Sequence, residues 1–239
     1  LKHYDVQAGL IRERIAILLK NGLGGLALVL LILFIFLNLR VAIWVAAGIP
    51  VAEHRIVSRD EILAGDVIDR PYVVKPLNEG SSIGVHMVLE GDDEPLFGDT
   101  GWPYGDRVMV EKFIPGRELT VSVMGDKALA VTEIIAAREF YDYDAKYAAG
   151  GSRHVLPADI EKKIANEAMR LAVLAHQTLG CRGVSRADFR LDGNDLYLLE
   201  INTQPGMTKL SLVPEIARYC GIKFEDLVVW MTENASSNK

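Results

Sequence analysis

The segment SRADFRLDGNDLYLLEINTQPG, residues 185–206, decides how this chain is expected to fold. Apolar runs stand on both sides of Asp192-Gly193-Asn194, a sequence typical of a tight turn, so the segment predicts an antiparallel hairpin. Its strands also carry acidic and amide side chains, which are costly beside apolar neighbours unless they are paired or bind a ligand. The segment therefore predicts two strands with a polar site on them.

The polar side chains of this hairpin have the composition of a magnesium site. Glu200 and Asn202 are two residues apart and point to the same side of a strand, and Asp188 lies on the neighbouring strand. Oxygen donors that leave room for phosphate and water are the ligands that Mg²⁺ takes when it binds with ATP. Arg186 would lie beside them and offset the charge of a transferred phosphoryl group. The alternative is a chance alignment of polar hairpin residues.

Two further segments have the chemistry of a phosphate site. Lys75 ends an apolar strand and is stiffened by Pro76, so its ammonium would be a fixed charge for a phosphate oxygen. The alternative is an ordinary exposed lysine at a strand end. The loop Glu79–Gly84 is rich in glycine and serine, and its backbone amides could surround a polyphosphate. Its spacing differs from GxxxxGK[ST], which excludes a P-loop.

The segment Val108–Glu118 is suited to binding a nucleoside. Glu111 and Lys112 end an apolar strand, and a carboxylate or carbonyl there could accept from an adenine amino group while apolar side chains cover the ring. Glu118 follows the turn at Pro115-Gly116 and would reach ribose hydroxyls. An edge strand with a surface salt bridge is the alternative.

The remaining pattern favours the α+β class. Strands and helices mix without strict alternation, and Phe140–His154 is polar and glycine-bearing, which predicts a long loop. The predicted strands are Tyr72–Lys75, Val108–Phe113, Leu119–Met124 and Ala128–Ile135, and the predicted helices are Ile160–Leu179, Leu212–Gly221 and Phe224–Thr232.

The N-terminal part has a different composition. Leu23–Leu37 contains no polar residue, and about 20 apolar residues span a bilayer as a helix. We expect a membrane-spanning helix here, with an amphipathic helix at Ala8–Lys20 before it and membrane contact through Gly22–Ala52. A cleaved signal peptide would have a shorter apolar core nearer the terminus, and a soluble core helix would have a polar face.

Charge and cysteine content exclude some classes of protein. The net charge is −6 and no basic stripe is present, so we expect no nucleic-acid partner. Cys181 and Cys220 are not at metal-ligand spacing, and we expect both to be reduced, buried thiols of a cytoplasmic protein.

The motifs occur in the order and spacing of the D-alanine–D-alanine ligase family of ATP-grasp enzymes, which the chain resembles from Ala47 to Thr232. Two of the motifs, Phe140–Tyr147 and Gly206–Pro214, belong to the D-alanine–D-alanine ligase branch of the ATP-grasp enzymes. The matching motifs are Val74-Lys75-Pro76, Glu79–Gly84, Glu111-Lys112, Phe140–Tyr147, Arg186-Ala187-Asp188, Glu200–Thr208 and Ser211–Pro214.

The resemblance implies a role for each matching residue in the nucleotide and metal sites. ATP phosphates and the nucleoside would be bound by Lys75, Gly80, Ser82, Glu111, Lys112, Ile114 and Glu118. Mg²⁺ or Mn²⁺ would be held by Asp188, Glu200 and Asn202. It also implies a central subdomain at 51–125, a C-terminal catalytic subdomain at 126–235 and a tail at 236–239, after a helical segment at 1–50.

The resemblance further implies the residues that act on D-alanine. Arg186 and the backbone amide of Gly206 would stabilise the tetrahedral intermediate, and Ser211 and Leu212 would receive the carboxylate of the second D-alanine. The remaining catalytic residues would be Ser81, Tyr147 and Lys146. The implied reaction joins two D-alanines for peptidoglycan synthesis, through an acyl phosphate made from ATP, in a cytoplasmic homodimer.

The sequence departs from the family before residue 47. The family's N-terminal domain holds the first D-alanine, and we expect that domain to be missing from this sequence. Arg12–Val51 instead resembles a transmembrane segment of resistance–nodulation–division efflux permeases. This leaves open a catalytically incomplete, membrane-tethered Mg-ATP-binding module from a chimeric or truncated ligase, anchored to the inner membrane.

Overall fold

The structure is a computed structural model that describes residues 47–79, 83–92, 97, 102–136, 152–208 and 211–235. The expected amphipathic and membrane-spanning helices lie outside these residues, as do Gly80, Ser81, Ser82, Lys146 and Tyr147 of the expected site. Within the described ranges, no helix is long and apolar enough to cross a membrane.

The first sheet is antiparallel and is built from strands with a clear alternation of burial. On its second strand Tyr72 and Val74 are fully buried, whereas Val73 and Lys75 are partly exposed, as the two-residue period of a strand requires. Its strands are β1 (His54–Ser58), β2 (Tyr72–Pro76), β3 (His86–Val88) and β4 (Arg107–Lys112), in the order β1-β4-β2-β3.

Helix α1 (Arg59–Ala64) follows β1 and begins at a capping box. The Ser58 side chain accepts from the Glu61 backbone N–H, and the Glu61 carboxylate accepts from the Ser58 N–H at 2.7 Å, so two otherwise unpaired amides are satisfied. Ile62 of this helix packs into the core of the first sheet with Tyr72, Val108 and Val110.

The second sheet is also antiparallel and contains the hairpin from residues 185–206. The hairpin turns at Gly193, whose φ of 57° is the left-handed conformation that glycine adopts easily. The strands are β5 (Arg117–Met124), β6 (Lys127–Ala136), β7 (Ser152–Val155), β8 (Val184–Asp192) and β9 (Asp195–Asn202), in the order β7-β6-β5-β8-β9.

Helices cover both faces of the second sheet. Helix α2 (Lys162–Thr178) packs on the face of Ala187 and Phe189, because its His176 bonds to Ser185 of that face at 2.7 Å. Helices α3 (Leu212–Tyr219) and α4 (Phe224–Glu233) pack with Val184 on the opposite face. That face also carries Arg186 and Asp188, so the two short helices lie on the side of the expected site.

Two sequence-based expectations are wrong in detail. The loop was predicted to extend over Phe140–His154, but strand β7 begins at Ser152 and pairs with β6. The prediction missed this strand because its sequence is polar. Cys181 and Cys220 are free, but neither is buried as expected: Cys181 is partly exposed, and Cys220 is exposed because it follows the last residue of α3. The α+β class is confirmed. The subdomain boundary predicted at 125/126 stays a prediction; the chain passes between the two sheets from Lys112 to Arg117.

Candidate active site

The hairpin β8–β9 places four polar residues on one face. Asp188 lies directly opposite Glu200, and Arg186 lies directly opposite Asn202 in the strand register. Residues two apart on a strand, and residues directly opposite on paired strands, point to the same side of a sheet. The structure therefore brings together Arg186, Asp188, Glu200 and Asn202, as the sequence predicted.

A β-bulge in β9 makes this arrangement possible. Leu196 and Leu198 are buried, yet an even spacing would place them on the same face as Glu200 and Asn202. The register shifts after Asp188, so that Phe189 pairs with Leu198 and not with Leu199. The extra residue turns the two leucines into the core and the two polar residues toward the site, which is a common use of a bulge.

Asp188 is buried and held by three donor groups. The Thr120 hydroxyl donates to Oδ1 at 2.6 Å, and the Arg186 guanidinium donates from Nε to Oδ1 at 2.9 Å and from Nη2 to Oδ2 at 2.7 Å. Thr120 lies on β5, directly opposite Asp188. The carboxylate is thus fixed from two strands. Sequence analysis missed Thr120, whose signal was a polar residue between the apolar residues Leu119 and Val121.

A second charged pair lies on the first sheet. Lys75 Nζ donates to Glu111 Oε2 at 2.8 Å, and Glu111 is buried beneath it. The two predicted nucleotide-binding residues therefore meet. The Lys112 ammonium points elsewhere, because it donates to the backbone carbonyls of Asp69 at 3.0 Å and Arg70 at 3.3 Å.

Arg190 joins the segment between the two sheets to the second sheet, and sequence analysis missed it. Its Nε donates to the carbonyl of Ile114 at 2.9 Å, its guanidinium lies over the Phe113 ring, and Nη1 is 3.7 Å from Glu118. Arg190 thus positions two residues predicted to contact the nucleoside. Arg190 could have been predicted because it lies two residues after Asp188 on the same strand, and such residues point to the same face of a sheet.

The start of α3 is shaped around Ser211. Its Oγ accepts from the Thr208 N–H at 3.0 Å and lies 2.9 Å from the Thr208 hydroxyl. A Cβ added to Gly206 would lie 2.9 Å from the same oxygen, so the glycine allows this close approach. The predicted residues Gly206, Ser211 and Leu212 are therefore neighbours at the start of this helix.

Metal binding depends on the chemistry of the hairpin residues. The described part of the chain contains no cluster of three or more His, Cys, Asp or Glu side chains arranged for a metal ion. The predicted set has a different composition, two carboxylates and the amide of Asn202. Asp188 has about four acceptor positions as a carboxylate, and its three donors leave room for one cation contact, so these oxygen donors fit Mg²⁺.

The chain is similar to known proteins over most of its length. The family model described as "D-ala D-ala ligase C-terminus" matches residues 43–233. The chain is 60% identical over 188 residues to the D-alanine–D-alanine ligase of Rhodospirillum rubrum, covering 79% of this chain and 62% of that protein. It is 55% identical over 197 residues to the Acidiphilium cryptum enzyme of the same name, covering 82% of this chain and 65% of that protein.

Solved structures of the same name have the same fold. Bacillus anthracis D-alanine–D-alanine ligase superposes with a TM-score of 0.69 at 29% identity, covering 82% of this chain and 66% of that one. Its complex with ATP gives a TM-score of 0.66 at 28% identity over 82% and 65%. The chain spans between 62% and 65% of the length of these two curated relatives. On the residues that match, the chain belongs to the D-alanine–D-alanine ligase family, of which it carries the C-terminal, ATP-grasp part.

Proposed function

We propose that this chain supplies the ATP-dependent, bond-forming site of a D-alanine–D-alanine ligase. The observation that carries the proposal is the register that places Arg186 and Asp188 opposite Asn202 and Glu200 on one face of the sheet. Relatives that are 60% and 55% identical bear this name, and a structural neighbour is complexed with ATP.

The proposed reaction has two steps. The carboxylate of the first D-alanine attacks the γ-phosphorus of ATP, which gives an acyl phosphate and ADP. The amine of the second D-alanine then attacks the acyl carbon, the C–O bond to phosphate breaks, and inorganic phosphate leaves with the dipeptide formed. Phosphorylation is needed because a free carboxylate is a poor electrophile.

The residues of the hairpin would act on the phosphoryl group. Asp188, Glu200 and Asn202 would hold Mg²⁺, which supplies positive charge to the phosphate oxygens when bound. Arg186, already anchored on Asp188, would donate to the oxygens that gain charge during transfer. Thr120 would keep the Asp188 carboxylate oriented, as partners of metal ligands commonly do.

The nucleotide would lie against the first sheet. The Lys75 ammonium would bind phosphate oxygens, with the buried Glu111 fixing its position. Ile114 and Glu118, both contacted by Arg190, would face adenine and ribose. Lys112, Gly80 and Ser82 complete the proposed nucleotide site.

The second D-alanine would bind at the start of α3. Ser211 and Leu212 would receive its carboxylate, since the first amides of a helix favour an anion. The amide of Gly206 would stabilise the oxyanion of the tetrahedral intermediate. Ser81, Tyr147 and Lys146 are proposed to complete the catalytic set.

Finer parts of the proposal concern assembly and location. We propose a homodimer that works in the cytoplasm, where ATP is available, with the apolar sequence of residues 23–37 anchoring the chain to the inner membrane. Fractionation of cells that express the chain tests the anchor, since a chain without it stays in the soluble fraction.

The function is tested with the purified chain, ATP, Mg²⁺ and D-alanine. We expect D-alanyl-D-alanine and inorganic phosphate in equal amounts, and an Asp188→Asn variant should lose most of this activity. Binding of Mg-ATP without any dipeptide would refute the ligase proposal and support a nucleotide-binding module instead.

A further inference from the structure

A histidine–glutamate pair joins β7 to the first turn of α3. His154 Nδ1 and Glu215 Oε2 are 2.6 Å apart, and their side chains are 21% and 28% exposed. An ionised carboxylate can only accept hydrogen bonds, so the histidine nitrogen donates. None of the roles assigned above uses either residue.

Glu215 lies next to the helix start that would bind the carboxylate of the second D-alanine. Its backbone N–H donates to the Ser211 carbonyl at 3.1 Å, which makes it the residue one helical turn later. Side chains four residues apart share a helix face, with Cβ atoms about 5–6 Å from each other. An anion at Ser211 would therefore approach a negative charge.

His154 comes to this carboxylate from the sheet. It pairs with Ile134 in the register of β6 and β7, in the same row as Glu118 and Arg190. Its side chain therefore lies on the face of the sheet that carries the candidate site. Its Nε2 lies 3.4 Å from the Ser152 hydroxyl, which limits rotation of the ring.

We propose that His154 is a positioning residue, whose imidazolium form offsets the charge of the Glu215 carboxylate and so permits an anionic carboxylate to bind at Ser211 and Leu212. The inference rests on the proposed function for the identity of that anion, the carboxylate of the second D-alanine. Without the histidine, Glu215 repels the anion across a single helical turn, and the first turn of α3 loses its contact with β7.

The size of the effect follows from Coulomb's law. Two unit charges about 6 Å apart in a water-like medium interact by an amount equal to roughly a threefold change in affinity, and by more in a less polar medium. His154→Gln should therefore weaken carboxylate binding at least about threefold. Glu215→Gln should not weaken it, and the double variant His154→Gln/Glu215→Gln should restore it, because the repelling charge is gone.

The experiment uses acetate as the simplest carboxylate probe. The full chain and the three variants are titrated with acetate while the backbone amide resonances of Ser211 and Leu212 are followed by NMR. Glu225→Gln is the control, since Glu225 is exposed in the first turn of α4 and should have no effect. Thermal unfolding of each variant verifies that it is folded.

A charge-based role and a merely structural role give different results. A structural role predicts that Glu215→Gln and the double variant bind acetate as weakly as His154→Gln, and that result would overturn the proposal. Equal acetate affinity in all variants, or no response of Ser211 and Leu212 in the unchanged chain, would also overturn it. If His154→Gln does not fold, threefold weaker binding by Glu215→Gln remains a contradiction.

Failure of the proposed function is distinguishable from failure of this inference. If the chain forms no dipeptide but the variants bind acetate as expected, the proposed ligase function is wrong and the proposed role of His154 is supported. If the chain forms dipeptide but its acetate affinity does not depend on His154, the proposed ligase function is supported and the proposed role of His154 is wrong. In an active chain, His154→Gln should raise the KM for the second D-alanine and leave the KM for ATP unchanged.

Discussion

The hydroxyl of Thr120 donates a 2.6 Å hydrogen bond to Asp188 Oδ1 from the directly opposite position on the neighbouring strand. Both residues are buried, so the carboxylate is fixed by the sheet itself. A carboxylate that is held in this orientation does not have to move when a metal ion binds to it. Thr120 is therefore expected to control metal binding without touching the metal.

Replacing Thr120 by valine should weaken metal binding about tenfold, the lower end of the effect seen when a partner of a metal ligand is removed. Valine has a similar shape but no hydroxyl, so Asp188 loses one donor. Thr120→Ser keeps the hydroxyl and should bind as the unchanged chain does. Mn²⁺ binding measured by electron paramagnetic resonance provides the affinity, and equal values for the valine and serine variants would show that Thr120 has no such role.

Lys75 and Lys112 should differ in what they do. Within the described part of the chain, the Lys75 ammonium donates to the Glu111 carboxylate, whereas the Lys112 ammonium is bound by two backbone carbonyls. Lys75→Met should weaken ATP binding by about 10- to 100-fold, as expected for loss of a charge-assisted phosphate contact. Lys112→Met should weaken it less and should lower thermal stability instead. Calorimetric titration with ATP measures this order, and the reverse order contradicts it.

Gly116 is the most sensitive point of the segment between the sheets. Its φ is 94°, and an added Cβ would lie 2.2 Å from the Leu191 carbonyl oxygen. Gly116→Ala should lower the free energy of unfolding by about 3 kcal/mol or more, from backbone strain and overlap together.

Gly193 is a matched control for this substitution. It has a φ of 57° with no atom within 4 Å of an added Cβ, so Gly193→Ala should cost only about 1 kcal/mol of left-handed strain. Denaturant unfolding of both variants isolates the overlap at Leu191. Equal losses at the two positions would mean that Gly116 is not tightly packed.

The buried His176 should make stability depend on pH. Burial lowers the pKa of His176 below its usual 6.5, so the folded chain keeps the ring neutral while the unfolded chain takes up a proton below that pH. Stability must then fall as the pH decreases below about 6.5, by at most about 1.4 kcal/mol per pH unit.

His176→Asn removes this group and should flatten the pH dependence between about pH 6.5 and pH 5. His86→Asn, at an exposed position, is the control and should leave the slope unchanged. Denaturant unfolding at several pH values provides both slopes. A variant slope equal to that of the unchanged chain would mean that His176 takes up its proton equally in both states.

The hairpin could be predicted from the sequence because its signal is local. Its signals are adjacent in the chain: the turn at Asp192–Asn194, the apolar strands on both sides of it, and polar residues two positions apart. They predicted that the two strands pair and that the polar side chains share one face. The bulge at Leu199 was detectable only as a conflict, since two buried leucines share the spacing of Glu200 and Asn202. The register of β9 against β8 resolves that conflict, and the spacing of residues within β9 does not give this register.

Contacts between distant segments were missed for the same physical reason. Thr120 meets Asp188 across 68 residues, and Arg190 meets the Ile114 carbonyl across 76. The pair His154–Glu215 joins a polar strand, which was mistaken for a loop, to a helix 61 residues later. Periodicity places a residue on a face, but the partner on the next element depends on how the whole sheet is assembled.

The route of one oxygen atom tests the central claim most directly. D-alanine labelled with oxygen-18 in its carboxylate is incubated with the full chain, ATP and Mg²⁺, and the inorganic phosphate is analysed by mass spectrometry. Ligation through an acyl phosphate transfers one labelled oxygen from the first D-alanine to each phosphate released with a dipeptide. Unlabelled phosphate would contradict the account, because ATP would then be hydrolysed without activating D-alanine.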